Sequence, residues 1–134
     1  EEMEDRYSKF EKTGCRNITE YNKTDNKKIP KILVIIDEVS DLLTGVNKAS
    51  VEEKIIRLGR LARAAGISVY LATQRPSVDV VNARIKANFP VRVAFKVANR
   101  HDSTTIINES GANKLIGKGD MLLLDRDGKI RAGF

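Results

Sequence analysis

Lys31 to Glu38 reads KILVIIDE and Gly66 to Pro76 reads GISVYLATQRP, and these two stretches decide the fold. Ile32 to Ile36 shows no alternation of apolar and polar residues, a pattern that suits a parallel strand covered on both faces. Ile67 to Thr73 has the same character. Between them Val51, Ile55, Leu58, Ala62 and Ala65 recur at helical spacing on one face, with Arg60 opposite and Arg57 and Arg63 flanking. Ser50 followed three positions later by Glu53 is a capping-box pattern and predicts a helix from Ser50 to Gly66. The order β-α-β implies an α/β fold with a mainly parallel central sheet and flanking helices.

Working outward, Glu1 to Thr13 reads as a helix with Met3, Tyr7 and Phe10 on one stripe and Gly14 as its stop. Asn22 to Lys28 is polar and charged, so residues 22–30 are expected to form a surface loop that leads through Pro30 into the first strand. After Arg75-Pro76 the pattern predicts a short helix ending near Lys86, a strand from Val91 to Val97, and one or two small helices from Asp102 to Ile116. A last pair of strands, Met121 to Leu124 and Lys129 to Phe134, is joined by Asp127-Gly128, read as a two-residue hairpin turn.

The chain has 134 residues, 41% of them apolar and 31% charged, enough to bury one core and short for two domains. Its longest purely apolar run, Ile32 to Ile36, is far below the roughly 18 residues a bilayer span needs, so the reading is a soluble piece. Cys15 is the only cysteine, which excludes an internal disulfide and a thiolate metal cluster and fits a reducing cytoplasm. Lys and Arg outnumber acids 24 to 18, net +6, a balance compatible with polyanion partners. His101 has no second histidine to complete a metal site and is expected to face solvent in a turn.

The chemistry is expected at Asp37-Glu38, because ligands of open α/β sheets bind at the carboxyl ends of strands. An aspartate there can hold Mg²⁺ through its water shell, and a neighbouring glutamate can polarise the water that attacks a phosphoanhydride. An acid in this place can equally do no more than cap the next helix.

The segments VIIDEVSDLL, VEEKIIRLGRLARAAGI, LATQRPSVDVV, RIKANFPVRVAFKV and GDMLLL, in this order, resemble the FtsK/SpoIIIE motor domain, and EMEDRYSKFEKTGCRNITEYN is similar to the segment before that family's Walker B strand. The resemblance covers almost the whole of residues 1–134 and implies the C-terminal portion of a RecA-like P-loop NTPase fold. It implies ATP and Mg²⁺ as cofactors, with Asp37 and Glu38 as Walker B acids, Gln74 as a sensor of the γ-phosphate beside Thr73, and Arg63 as an arginine finger reaching another subunit. Arg60 is the rival for that last role. It also implies double-stranded DNA as partner, with Arg75 and Arg100 facing the pore of a hexameric ring, where contacts to phosphate give affinity without sequence preference. Thr104 stands where the family's DSRTI segment carries an arginine, and Lys86 and Lys96 stay outside the expected site.

No GxxxxGK(S/T) occurs in the sequence, and Gly111 to Gly119, GANKLIGKG, has no Ser or Thr after its lysine. The resemblance places the phosphate-binding strand and helix upstream of Glu1, with any membrane anchor, on a bacterial protein whose motor is cytoplasmic. These residues alone are then expected not to hydrolyse ATP, and their sheet to leave an edge and an apolar face that favour self-association. Two other readings stay open: a conjugation or secretion ATPase of the same superfamily, and a non-catalytic module whose basic surface binds polyanions.

Overall fold

The computed structural model describes residues 1–24 and 28–133. Where composition suggested one globular unit, the chain divides into two compact units, Glu1–Thr73 and Gln74–Phe134.

The first unit runs α1 (Glu2–Thr13), α2 (Ile18–Thr24), β1 (Ile32–Ile36), α3 (Val39–Leu42), α4 (Lys48–Leu61) and β2 (Ile67–Leu71). α1 ends at Gly14, whose φ of 69° is left-handed and whose N–H returns to the last turn. Its stripe packs as expected: Met3 and Phe10 are buried and Tyr7 lies against the same core, which also takes Ile18, Tyr21, Ala62, Ala65 and Ile67. Burying a ring such as Phe10 contributes about 2–3 kcal/mol.

β1 and β2 pair in parallel, Ile32 opposite Ile67 through Ile36 opposite Leu71. Side chains alternate across a strand, so Ile32, Val34 and Val69 pack inward while Leu33, Ile35 and Tyr70 turn to the other face. That other face is 59%, 66% and 63% exposed at the three residues, so the expected burial of β1 on both faces is corrected to one. The pair thus leaves an apolar face open.

Three local expectations also change. Residues 22–24 close α2 rather than open a loop, and Asn22 bridges to Ile29 by donating to its carbonyl and accepting from its N–H; residues 25–27 lie outside the described residues. α4 begins at Lys48 after the N-cap Asn47, so Ser50 sits inside the helix instead of capping it. It stops at Leu61, and residues 62–66 are a turn closed at Gly66, with φ +76° and Ile18 packed against it.

Arg6, on α1, is 1% exposed. Its Nη1 donates to the carbonyls of Pro30 and Ala65, both at 2.9 Å, and its Nε donates to Glu2 Oε1 at 2.7 Å. The guanidinium therefore joins α1 to the segments that enter both strands.

The second unit runs α5 (Ala83–Asn88), β3 (Arg92–Phe95), α6 (Arg100–Ile107), a 3-10 turn (Ala112–Lys114), β4 (Met121–Leu124) and β5 (Ile130–Gly133). Its strands form an antiparallel sheet, β3-β4-β5. Ala94 and Leu124 on one face pack with Ile107 and Ala112, while Val93 and Phe95 on the other face are exposed. Asn99 caps α6 by accepting from the Asp102 N–H at 2.9 Å, which places His101 in the helix rather than in a turn, though still exposed. The hairpin turn spans Asp125 to Gly128: Arg126 and Asp127 are central, and Gly128 follows at φ 76°, so Asp127-Gly128 is not a two-residue loop. Phe134 lies outside the described residues. Among the described residues no helix is long and apolar enough to cross a membrane.

Candidate functional site

The backbone beyond β1 and β2 zips the two strand ends together. Ala72 N donates to Ile36 O at 2.8 Å, and Val39 N donates to Ala72 O at 2.9 Å. A chain that leaves a parallel strand into a helix must turn here, and Glu38 makes the turn with extended backbone at φ −136°, ψ 90° as the N-cap of α3.

Three donors converge on one oxygen of Glu38. Oε1 accepts from the Ser40 N–H at 3.2 Å, from Ser40 Oγ at 2.6 Å and from Thr73 Oγ1 at 2.5 Å. The hydroxyl distances fall in the range of charge-assisted bonds to a carboxylate. Asp37, one residue earlier, is exposed at the end of β1. Asp37, Glu38 and Thr73 thus stand together at the carboxyl end of the parallel pair. Glu38 caps a helix as well, so capping and placement at the strand end coexist in one residue.

Among the described residues no group of three or more His, Cys, Asp or Glu side chains could hold a metal ion.

Arg63 is exposed in the turn after α4, before β2 begins. Thr73 lies past the other end of β2, whose five residues span about 16 Å, so Arg63 is not brought to the carboxylates of its own chain. Arg60 is also exposed, whereas Arg57 pairs with Glu4 at 3.0 Å. In the second unit Gln74 and Arg75 are exposed, and the Arg75 carbonyl accepts from Ser77 N at 2.8 Å. Arg100 is the exposed first residue of α6. The Thr104 hydroxyl donates to the Arg100 carbonyl at 3.0 Å, folding back on its own helix instead of replacing an arginine. Lys86 Nζ donates to Asn108 Oδ1 at 3.0 Å and Lys96 lies alongside Gly117.

Ser40 escaped the reading of the sequence. A hydroxyl two residues after a strand-end acid is a signal for a tight cap, but it carries no information about which oxygen it meets.

The architecture is that of P-loop ATPase motor domains. The chain is similar to the conjugation coupling protein TcpA of pCW3, solved as a monomer with ATPgS: it is 32% identical with a TM-score of 0.81, covering 91% of this chain and 37% of that one. The cytoplasmic domain of the type VII secretion ATPase EccC of Thermomonospora curvata shares the fold at 21% identity, with a TM-score of 0.86 over 98% of this chain and 16% of that one. Residues 23–78 match the model of the FtsK/SpoIIIE family. Relatives named DNA translocase FtsK extend the likeness along nearly the whole chain. The protein of Streptococcus agalactiae serotype V is 50% identical over 98% of this chain and 17% of the relative, and that of Lactococcus lactis subsp. lactis 49% over 98% and 19%. The chain thus spans under a fifth of the length of these curated relatives.

Proposed function

We propose that these residues form part of an ATP-driven double-stranded DNA translocase, the portion from Walker B onward, with the phosphate cradle supplied by sequence N-terminal to Glu1. The observation that carries the reading is the Glu38 carboxylate, fixed between the ends of two parallel strands within the stretch that matches the FtsK/SpoIIIE family. ATP with Mg²⁺ supplies the phosphoanhydride and neutralises its charge when bound. Asp37 would hold the ion through water, and Glu38 would take a proton from the attacking water. Gln74, the residue after Thr73, can bond both a water and a phosphate oxygen and is assigned as the sensor.

Arg63 lies at the far end of β2 from Glu38, which supports its use by a neighbouring subunit in a ring, for which a hexamer is expected. Arginine fingers contribute roughly 10³ to 10⁵ in turnover, or about 4–7 kcal/mol. Arg75 and Arg100 are exposed cations suited to phosphate contacts with duplex DNA. In this reading a membrane anchor belongs to another part of the protein, and the motor works on the cytoplasmic side.

The test is ATP hydrolysis by the full-length protein with and without linear duplex DNA. Glu38→Gln should retain ATP binding and lower DNA-stimulated turnover by roughly 100-fold or more. Unchanged turnover would reject the reading and favour a non-catalytic module in which Glu38 only caps α3. The likeness to TcpA favours a second reading, a conjugation coupling ATPase; stimulation by single-stranded DNA but not by duplex would select it.

A further inference from the structure

We propose that Lys96, Lys114 and Lys118 form a second anchor for nucleic-acid phosphates, at the end of the β3-β4-β5 sheet from which the chain leaves for Arg100 and α6. The inference rests on the reading of the protein as a DNA translocase. It adds to Arg75 and Arg100 three cations that lie outside the expected site.

Charge is divided unequally along the chain. Residues 74–134 hold 11 of the 24 Lys and Arg but only 6 of the 18 Asp and Glu, so the second unit carries five of the six net positive charges. Within that unit the topology gathers three of the lysines. β3 ends at Phe95 opposite Met121, the first residue of β4, so the chain leaving β3 and the loop entering β4 meet at one end of the sheet. The Val97 N–H donates to the Ala112 carbonyl at 3.3 Å, which draws in the 3-10 turn that ends at Lys114. Lys96 runs alongside Gly117, its Cδ 3.6 Å from where a Cβ would stand there, and Lys118 is the next residue. All three lysines are exposed.

Two observations set this cluster apart from a merely solvated surface. The first is that its charge is not neutralised from within. Among the described residues the side chains of Lys96, Arg100, Lys114 and Lys118 make no hydrogen bond or ion pair. The nearby carboxylates are engaged in their own loops: Asp102 Oδ2 accepts from Asn99 Nδ2, and Asp120 Oδ2 from the Ile116 N–H, both at 3.0 Å. The second is the backbone of the loop. Gly117, Lys118 and Gly119 have φ of 94°, 56° and 95°, three left-handed residues in succession. Glycine takes that conformation readily and lysine does not. A glycine at 118 would hold the turn with less strain, so what this position adds to the loop is its cation. Lysine binds phosphate as a point charge with no bidentate geometry to satisfy, which gives affinity without sequence preference to a motor that must release each contact as it advances.

The experiment measures binding of the full-length protein to linear duplex DNA, with ATPγS, over a series of salt concentrations. Each phosphate contact contributes about 0.9 to the slope of log affinity against log salt. Lys118→Gly should lower the slope by about 1 and weaken binding equally on two duplexes of unrelated sequence. Its thermal midpoint should stay at the wild-type value, because relief of the left-handed backbone offsets the added freedom of the unfolded chain. Lys96→Gln and Lys114→Gln should each act in the same way, and Lys96→Gln combined with Lys118→Gly should lower the slope by about 2. Lys129→Gln, in the exposed hairpin at the opposite end of the sheet, should keep the wild-type slope. If the wild-type protein binds no duplex DNA, the translocase reading itself fails. If it binds and the three lysine variants keep its slope, that reading stands and the second anchor is overturned. An equal fall in slope in Lys129→Gln would show a diffuse effect of net charge, and a loss of affinity that differs between the two duplexes would show contacts to bases; either would overturn the assignment to phosphate at this cluster.

Discussion

Each of the two units is held together internally by contacts of a different range. In the first, Arg6 meets the carbonyls of Pro30 and Ala65, 24 and 59 positions away, and β1 meets β2 across a helical crossover. In the second, β4 and β5 are joined by a tight turn, and the fully buried Ser103 ties α6 to the segment that follows it by donating to Glu109 O at 2.7 Å and accepting from the Ala112 N–H at 3.1 Å. Parallel pairing needs a crossover, whereas antiparallel pairing can be local. The acids proposed for hydrolysis therefore lie in the unit whose geometry depends on distant contacts, and Glu38 meets Thr73 only when β1 and β2 are in register.

The largest effect that would sharpen this contrast is Gly66→Ala. A Cβ there would fall 2.3 Å from Ile18 Cδ1, beside a buried side chain, and the residue would have to hold φ +76°. The left-handed backbone and the overpacking together should cost about 4 kcal/mol, read by urea denaturation. Amide exchange should speed up in β1 and β2 far more than in β3, β4 and β5; an equal rise across all five strands would break the distinction between the units.

Next comes Arg6→Leu, which keeps side-chain volume and leaves the Pro30 and Ala65 carbonyls without their donor. A loss of about 3 kcal/mol is expected, and a loss below about 1 kcal/mol would show that the long-range tie is not what holds the first unit. In the second unit a half-buried cation lacks such compensation. Arg92 Nε and Nη1 are buried with no hydrogen-bond partner among the described residues, and burial pushes the guanidinium pKa down. Arg92→Leu should raise the thermal midpoint, by about 1 kcal/mol in stability.

The smallest expected effect is in the hairpin. The Lys129 N–H, then Arg131 and the Asp127 N–H, hold the Asp125 carboxyl below its usual range. A carboxylate with a lowered folded pKa stabilises above its unfolded value, and that contribution disappears as pH falls through the folded value. Asp125→Asn should therefore flatten the acid dependence of β4–β5 amide protection below about pH 4, without shifting protection at neutral pH in β1.

Much of this was legible in the sequence. The unbroken apolar run at Ile32 to Ile36, the stripe of Met3, Tyr7 and Phe10, and Gly14 as a stop each carry a local periodicity or a backbone requirement that needs no partner to be read. α3 and the start of α4 were not legible in the same way. α3 is four residues long, too short to show a period, and Asn47 displaced Ser50 as the cap although Ser50 fits the capping-box pattern. The apolar run of β1 implies burial on two faces and the structure covers one, because such a run reports which side chains could be covered and not whether anything covers them.

For the site, the sequence by itself determined the chemical types and their order: an acid pair at a strand end, then Thr73-Gln74-Arg75 after the next strand, with arginines on the helix between. Residue type and spacing fix these because strand ends and helix faces follow from period alone. Only the tertiary structure decided that Oε1 of Glu38 meets Ser40 and Thr73, that Arg63 stands at the opposite end of β2, and that Arg6 is buried. Those facts depend on the register between strands that are far apart in the chain and on which carbonyls a buried cation can reach, and neither is written in local sequence.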